Sequence, residues 1–196
     1  SGNIGSVRIG QKLEIEKLKS FLEKIGVLYK MDFDIHEMGE PISFRWGKCK
    51  LATVSFGHGI TTTPLQLAKA YAIISNGGYE IKPTLIKKNA IISKKNNRII
   101  KEGVSEKINL ILRKIVTTKE GTAGLANIQG YEIGGKTGTA QKTTVGGYSK
   151  AKVNTFAAIF PTSKPKYTLV VLMDEPKTSL DYVYKYRNKK GSYKGT

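Results

Sequence analysis

The stretch Tyr131–Gln141 reads Y-E-I-G-G-K-T-G-T-A-Q and places one lysine, two threonines and three glycines on a predicted strand. Glycine weakens a strand interior by roughly 0.5–1 kcal/mol relative to alanine, because it packs nothing and loses the most backbone entropy. Where glycine does occur in a strand, another backbone or a ligand often has to approach closely. The stretch therefore favours a ligand-binding sheet edge, although K-T-G alone would also fit a glycine-rich turn with a solvated lysine.

The composition is that of a globular protein with a large positive charge. The 196 residues are 39% hydrophobic, which predicts a folded domain, and no apolar run approaches the roughly 20 residues of a membrane span. The net charge is +18, yet only five of the 33 basic residues are arginine, the residue that base-edge and bidentate phosphate recognition favours. We therefore predict that the charge serves solvation and that nucleic acid is not a partner, while an acidic polymer or anionic membrane surface remains an alternative.

Cysteine and histidine give no sign of a metal or cofactor. Cys49 is alone, so no internal disulfide can form, and His36 and His58 lack metal-ligand spacing. No metal site and no cofactor are predicted.

Three helices are predicted from apolar spacing and from capping residues. The first covers Gln11–Ile25 and ends at Gly26, and the second begins with Thr63 as the N-cap and ends at Asn76. Ser105 is predicted to cap a third helix from Glu106 to about Thr118. The stripe expected on the second helix is Leu65, Ala68, Tyr71, Ala72 and Ser75, and the residues expected to face inward on the third are Ile108, Ile111, Leu112 and Ile115.

Strands are predicted on both sides of the third helix. Residues 81–86 and 98–100 are expected to be short strands flanking a polar turn. After a G-T-A-G loop, three longer strands are expected at Tyr131–Ala140, Val153–Phe160 and Tyr167–Met173. The Tyr- and Lys-rich tail after residue 177 is low in apolar residues, which favours a mobile, solvated segment.

Two short motifs combine in a recognisable order. Ser1-x-Asn3 opens the chain, and Lys136-Thr137-Gly138 lies on the first of the three long strands. The order S-x-N and then K-T-G is that of serine acyl-transferases that attack D-Ala peptides and β-lactams. S-x-N is common by chance, so K-T-G-T-A-Q on a glycine-rich strand is the stronger signal.

The sequence around these motifs resembles the class B penicillin-binding proteins, above all the septal peptidoglycan D,D-transpeptidase of cell division. The resemblance lies in S-F-G-H-G-I-T-T-T-P-L-Q-L-A-K-A-Y-A-I-I-S-N-G-G, in G-G-K-T-G-T-A-Q-K and in T-F-A-A-I-F-P-T-S-K-P-K-Y-T-L-V-V-L-M-D-E-P. It implies an α+β fold with an antiparallel sheet flanked by helices. Residues 1–176 would belong to the transpeptidase domain and 177–196 would form a basic tail.

The resemblance also implies roles for individual residues. Ser1 would relay a proton, and Asn3 would bind the substrate backbone and help to place the catalytic lysine. Lys136 would keep the cleft positive and orient the Ser1 hydroxyl. Thr137 and Thr139 would bind the carboxylate of a D-Ala-D-Ala stem peptide or of a β-lactam, and a backbone N–H near Thr139 would supply half of the oxyanion hole. Gly138 would let the substrate lie against the strand.

The family's nucleophile is a serine in an S-x-x-K sequence that precedes S-x-N. The chain contains two such strings, at residues 149–152 and 163–166, and both are predicted to be chance matches in a loop and a turn. We therefore expect a carboxyl-side part of the domain, cut at both ends and inactive alone, whose parent protein is anchored at the periplasmic face of the inner membrane and has cell-division partners. The alternatives are a non-catalytic peptidoglycan- or partner-binding fragment and a D,D-carboxypeptidase or β-lactamase relative.

Overall fold

The computed structural model describes residues 2–87, 97–144, 147–177, 184–188 and 191–195. It divides into two compact units. The first comprises Ser1–Thr137 and Phe156–Val171, and the second comprises Gly138–Thr155 and Leu172–Thr196. The first unit holds the helices, and no helix among the described residues is long and apolar enough to cross a bilayer.

Helix α1 spans Asn3–Lys24 and is interrupted at Glu14, where φ is 64° and ψ is 170°. Its predicted end is confirmed. Gly26 has a φ of 82° and its N–H donates to the Glu23 carbonyl, while the Val27 N–H donates to the Leu22 carbonyl. These two bonds form the Schellman motif that glycine at this position favours.

The start of α1 was predicted too late in the chain. Helix α2 (Lys48–Ser55), which the sequence did not predict, packs against the early part of α1. A β-carbon on Gly10 would lie 1.8 Å from the Ser55 hydroxyl oxygen, so the two helices cross closely at this glycine. The start of α1 was missed because the early part of this helix packs on α2 through a glycine and shows no apolar repeat in the sequence.

Helix α3 (Pro64–Ser75) follows the predicted cap. Thr63 Oγ1 accepts from the Gln66 N–H at 3.2 Å, and Gln66 Oε1 accepts from the Thr63 N–H at 2.9 Å, which is a complete capping box. Gln66 is fully buried, and its Nε2 donates to the carbonyls of Gly26 (3.1 Å) and Tyr29 (2.7 Å). The stripe predicted for α3 is only half-buried apart from Ser75, and the buried residues are Gln66, Ala70, Ile73 and Ser75.

Helix α4 (Glu102–Thr117) begins earlier than predicted. Ser105 is not its cap but a buried residue of the second turn, whose Oγ donates to the Ile74 carbonyl at 2.5 Å and accepts from the Gly77 N–H at 3.1 Å. The Ser105 hydroxyl therefore satisfies the end of α3. Ile111, which was predicted to face inward, is 55% exposed, and the buried residues are Ser105, Asn109, Leu112 and Val116.

The three long strands are confirmed as β1 (Gly134–Thr144), β2 (Gly147–Phe160) and β3 (Tyr167–Asp174). Strand β1 begins and ends later in the chain than predicted, whereas β2 begins earlier and β3 ends one residue later. They form an antiparallel sheet in the order β1-β2-β3. Together with the helices this sheet makes an α+β protein, as predicted.

Two strand predictions were wrong. Residues 81–86 and 98–100 form no extended strands. In the described part of this region an antiparallel bridge joins Tyr79 to Arg98, and the N–H groups of Ile99 and Glu80 donate to the carbonyls of Gly78 and Asn97. In the tail, where no regular structure was predicted, β4 (Tyr184–Asn188) pairs antiparallel with β5 (Gly191–Gly195).

Candidate active site

Lys136 and Thr137 lie near the start of β1 and are both half-buried. The Lys136 ammonium donates to the Thr137 carbonyl at 2.5 Å and to the Thr137 hydroxyl at 3.4 Å. Partial burial lowers the pKa of Lys136 below its usual value, because the charged form loses solvation. The strand therefore holds a cation whose charge is less hydrated than that of a surface lysine.

The Thr137 hydroxyl has a partner that the sequence analysis missed. It donates to the Thr122 hydroxyl at 2.9 Å, and Thr122 is an exposed residue of the G-T-A-G loop after α4. The sequence showed this segment only as a loop. The signal that could have found it is a hydroxyl between two glycines shortly before the K-T-G strand.

The glycines of the opening stretch serve different purposes. A β-carbon on Gly134 would lie 2.5 Å from the Thr162 side chain and 3.0 Å from the backbone of Arg113 in α4. One on Gly135 would lie 2.6 Å from the Phe156 ring. These two glycines are required by internal packing, which corrects the first interpretation of the whole stretch as a ligand-binding edge.

Gly138 is different, because nothing in the described packing requires it. Its β-carbon would come no closer than 3.9 Å to Thr155, an ordinary contact distance, and the residue is exposed. Thr139 follows it in the same strand and is also exposed. In the described sheet β1 pairs only with β2.

The S-x-N motif is only partly described. Ser1 lies outside the described residues. Asn3 is the first residue of α1 and is exposed, and no hydrogen bond within the described part of the chain joins its side chain to Lys136. The structure therefore brings together Lys136, Thr137 and Thr122, and it does not connect Asn3 to them.

Both S-x-x-K strings lie outside the helices, as predicted, but residues 149–152 belong to strand β2 and not to the predicted loop. The Ser149 Oγ accepts from the Ala151 N–H at 2.8 Å. Ser163 is in the turn after β2 and donates to Glu132 at 2.5 Å. Because a serine and a lysine three residues apart share a face on a helix and not on a strand, neither string presents a nucleophile beside its base.

The helices and the antiparallel sheet with its Lys136-Thr137-Gly138 strand make an α+β protein, the fold class that the resemblance to penicillin-binding proteins implies. The chain belongs to the family of the penicillin-binding protein transpeptidase domain, whose profile matches residues 1–192.

Individual relatives agree with this assignment. A peptidoglycan D,D-transpeptidase FtsI homolog of Mesostigma viride is 34% identical over 93% of this chain and 35% of its own length. A probable peptidoglycan D,D-transpeptidase FtsI of Caulobacter vibrioides is 32% identical over 90% of this chain and 32% of its own length. Among solved structures, the apo transpeptidase domain of Burkholderia pseudomallei penicillin-binding protein 3 superposes with a TM-score of 0.83 at 27% identity, over 89% of this chain and 54% of that one. The chain thus spans about a third of the length of these curated relatives.

Proposed function

We propose that this chain carries the substrate-binding strand of a peptidoglycan D,D-transpeptidase. The observation that carries the proposal is strand β1, on which the half-buried Lys136 precedes an exposed Gly138 that internal packing does not need. Membership of the transpeptidase-domain family supports it. The substrate would be a stem peptide that ends in D-Ala-D-Ala, and β-lactams would bind as its mimics.

The substrate would add to the free side of β1 as an extra strand. Main-chain hydrogen bonds supply affinity in this mode of recognition, and the absent side chain of Gly138 leaves room for the peptide. The hydroxyls of Thr137 and Thr139 would hold the terminal carboxylate, with the Lys136 ammonium nearby. Hydrogen bonds that involve an ionised group are roughly twice as strong as neutral ones, so a carboxylate end would be selected over a neutral one.

The reaction would proceed through an acyl-serine intermediate. A serine oxygen attacks the carbonyl carbon of the penultimate D-Ala, the bond to the terminal D-Ala breaks, and that D-Ala leaves with a proton on its amine. The amine of a neighbouring stem peptide then attacks the ester, forms the cross-link and returns the serine hydroxyl. With a β-lactam, the ring amide opens instead and its nitrogen stays attached to the acyl group.

The chain's other motif residues would assist this chemistry. Ser1 would relay the proton between the catalytic lysine, the nucleophile and the leaving amine. Asn3 would bind the substrate backbone. A backbone N–H near Thr139 would stabilise the oxyanion, an interaction whose loss costs about 10²–10³ in kcat in other acyl-transfer enzymes.

We place this activity at the periplasmic face of the inner membrane, in septal wall synthesis. The supporting observation is that the two relatives above are named FtsI or its homolog. A fluorescent fusion is expected at midcell during division, and uniform labelling of the cell outline would contradict the septal role.

Labelling with a fluorescent penicillin tests the enzymatic proposal in the protein expressed from its complete gene. The wild type is expected to be labelled covalently. Lys136→Ala should lower the labelling rate on the order of 100-fold, the effect of removing one electrostatic group from such a site. Lys114→Ala, which removes an exposed lysine of α4, is the control and should label like the wild type.

Mass spectrometry of the labelled protein locates the nucleophile. The acyl group is expected on a serine of an S-x-x-K sequence outside residues 1–196. A labelled serine within these residues, Ser149 and Ser163 included, would contradict the proposal that the nucleophile lies outside residues 1–196. A wild type that takes no label at all would overturn the transpeptidase proposal itself.

A further inference from the structure

We propose that Thr122 is a positioning residue for carboxylate recognition, acting through the hydroxyl of Thr137. This inference rests on the proposed function, in which Thr137 holds the carboxylate of the substrate. Its basis is the 2.9 Å hydrogen bond between the two hydroxyl oxygens and the placement of Thr122 by the loop that carries it.

The loop is fixed on both sides of Thr122. A β-carbon on Gly121 would lie 2.0 Å from the carbonyl oxygen of Ile115, so the backbone before Thr122 rests directly on α4. The N–H of Ala123, the next residue, donates to the same carbonyl at 3.3 Å, and the Ala123 side chain is buried. The backbone at Thr122 is therefore anchored to the helix even though its side chain is exposed.

The hydrogen bond between the two hydroxyls determines how many donor protons remain for a ligand. Each hydroxyl has one proton and can both donate and accept. One proton is used in the bond between Thr122 and Thr137, which leaves one for a ligand. The Lys136 ammonium, 3.4 Å from the Thr137 oxygen, donates to that oxygen and so restricts the directions in which the Thr137 hydroxyl can point.

When a carboxylate binds, Thr137 would turn its proton to the carboxylate and accept from Thr122 instead. The chain of bonds would then run from Thr122 to Thr137 to the carboxylate, and each bond would polarise the next. Thr122 would thus hold the Thr137 side chain in one rotamer and strengthen the bond that it donates. Without the Thr122 hydroxyl, Thr137 would still reach the ligand, but with less restriction and a weaker bond.

The test compares two probes on three variants of the protein expressed from its complete gene. The probes are benzylpenicillin, which has the carboxylate, and its methyl ester, which does not. Thr122→Val removes the hydroxyl at constant shape and should lower the second-order acylation rate with benzylpenicillin by about three- to tenfold, the loss expected for one neutral hydrogen bond. Its rate with the ester should stay at the wild-type value, and Thr122→Ser should recover the benzylpenicillin rate to within about twofold. Thr117→Val, at the exposed end of α4, is the matched control and should change neither rate.

The outcomes separate this inference from the proposed function. A Thr122→Val protein that reacts with benzylpenicillin as fast as the wild type overturns the role of Thr122 alone. An equal loss with both probes also overturns it, because a structural defect would not distinguish a carboxylate from an ester. A wild type that reacts with neither probe overturns the proposed function and this inference with it.

Discussion

Two lysines of strand β1 have opposite electrostatic surroundings. Lys136 is half-buried and its ammonium bonds neutral oxygens, so that burial lowers its pKa. Lys142 donates to Glu175 at 2.7 Å and to Asp174 at 3.0 Å, and these hydrogen bonds raise its pKa. The same residue type six positions apart is thus bonded once to the neutral oxygens of Thr137 and once to two carboxylates.

The pKa of Lys136 is predicted to be lower than that of Lys142 in a titration of the lysine side chains followed by NMR. Below its folded pKa, protonated Lys136 disfavours the native state, and this cost disappears as the pH rises above the ordinary lysine value. Lys142 behaves in the opposite way, because its ion pairs stabilise the native state below the ordinary lysine pKa and are lost as the pH rises through its raised value. Lys136→Arg and Lys142→Arg assign the two signals, and equal or reversed pKa values would contradict the structure.

At the scale of elements, strand β1 combines packing glycines with one exposed glycine. Gly134 and Gly135 bring the strand into close contact with α4 and with Phe156 of β2, whereas Gly138 has space around it. The sequence shows three glycines in a strand, but it cannot tell which are needed for internal packing and which leave space for a ligand. Close approach by the protein's own atoms and close approach by a ligand both favour glycine.

Alanine at Gly135 and alanine at Gly138 are expected to have different effects on the free energy of unfolding, measured by denaturant titration. Gly135→Ala would place a methyl group 2.6 Å from the Phe156 ring and should lower the free energy of unfolding by about 1–3 kcal/mol, the usual cost of overpacking. Gly138→Ala is the matched control, because its methyl group meets no atom closer than 3.9 Å. It should change stability by less than about 1 kcal/mol while slowing labelling by a fluorescent penicillin. Equal destabilisation by both substitutions would contradict the assignment of Gly138 to a ligand.

The start of α3 and the end of α1 could be predicted because their determinants are local. Thr63 bonds the N–H of Gln66, three residues on, and Gly26 bonds the carbonyl of Glu23, three residues back. Ser105 was misassigned because its hydroxyl bonds the end of another helix, a partner that is distant in sequence. Gln66 was overlooked as a core residue for the same reason, since burial of an amide depends on carbonyls about 40 positions away.

For the molecule as a whole, the sequence predicted the strand that carries the candidate site better than the contacts around that strand. It singled out Lys136 and Thr137 as candidates because K-T-G on a strand is rare enough to carry a family resemblance. It could not single out Thr122, because the hydrogen bond of Thr122 to Thr137 depends on how the loop after α4 meets β1. The tail was predicted from its polar composition, but alternating Tyr and Lys residues also fit a strand, and Tyr184–Asn188 pairs with Gly191–Gly195.

The net charge of +18 leads to a prediction about the whole chain. Ion pairs such as Lys82–Asp32 and Lys19–Glu23 neutralise some cations, but the excess of basic over acidic residues leaves unbalanced charges that repel one another in any compact state. Salt screens this repulsion, since the Debye length falls from about 30 Å at 0.01 M to about 8 Å at 0.15 M. The Tm in a calorimetric scan should therefore rise over this range of sodium chloride, by about 2–4 °C for each kcal/mol of repulsion removed.

A variant with four exposed lysines changed to glutamine, at positions 12, 17, 107 and 114, should start from a higher Tm at low salt and gain less from the addition of salt. A Tm that falls as salt is added would show that specific ion pairs control the salt dependence. A Tm that rises equally in the variant would show that net repulsion is not the cause of the rise.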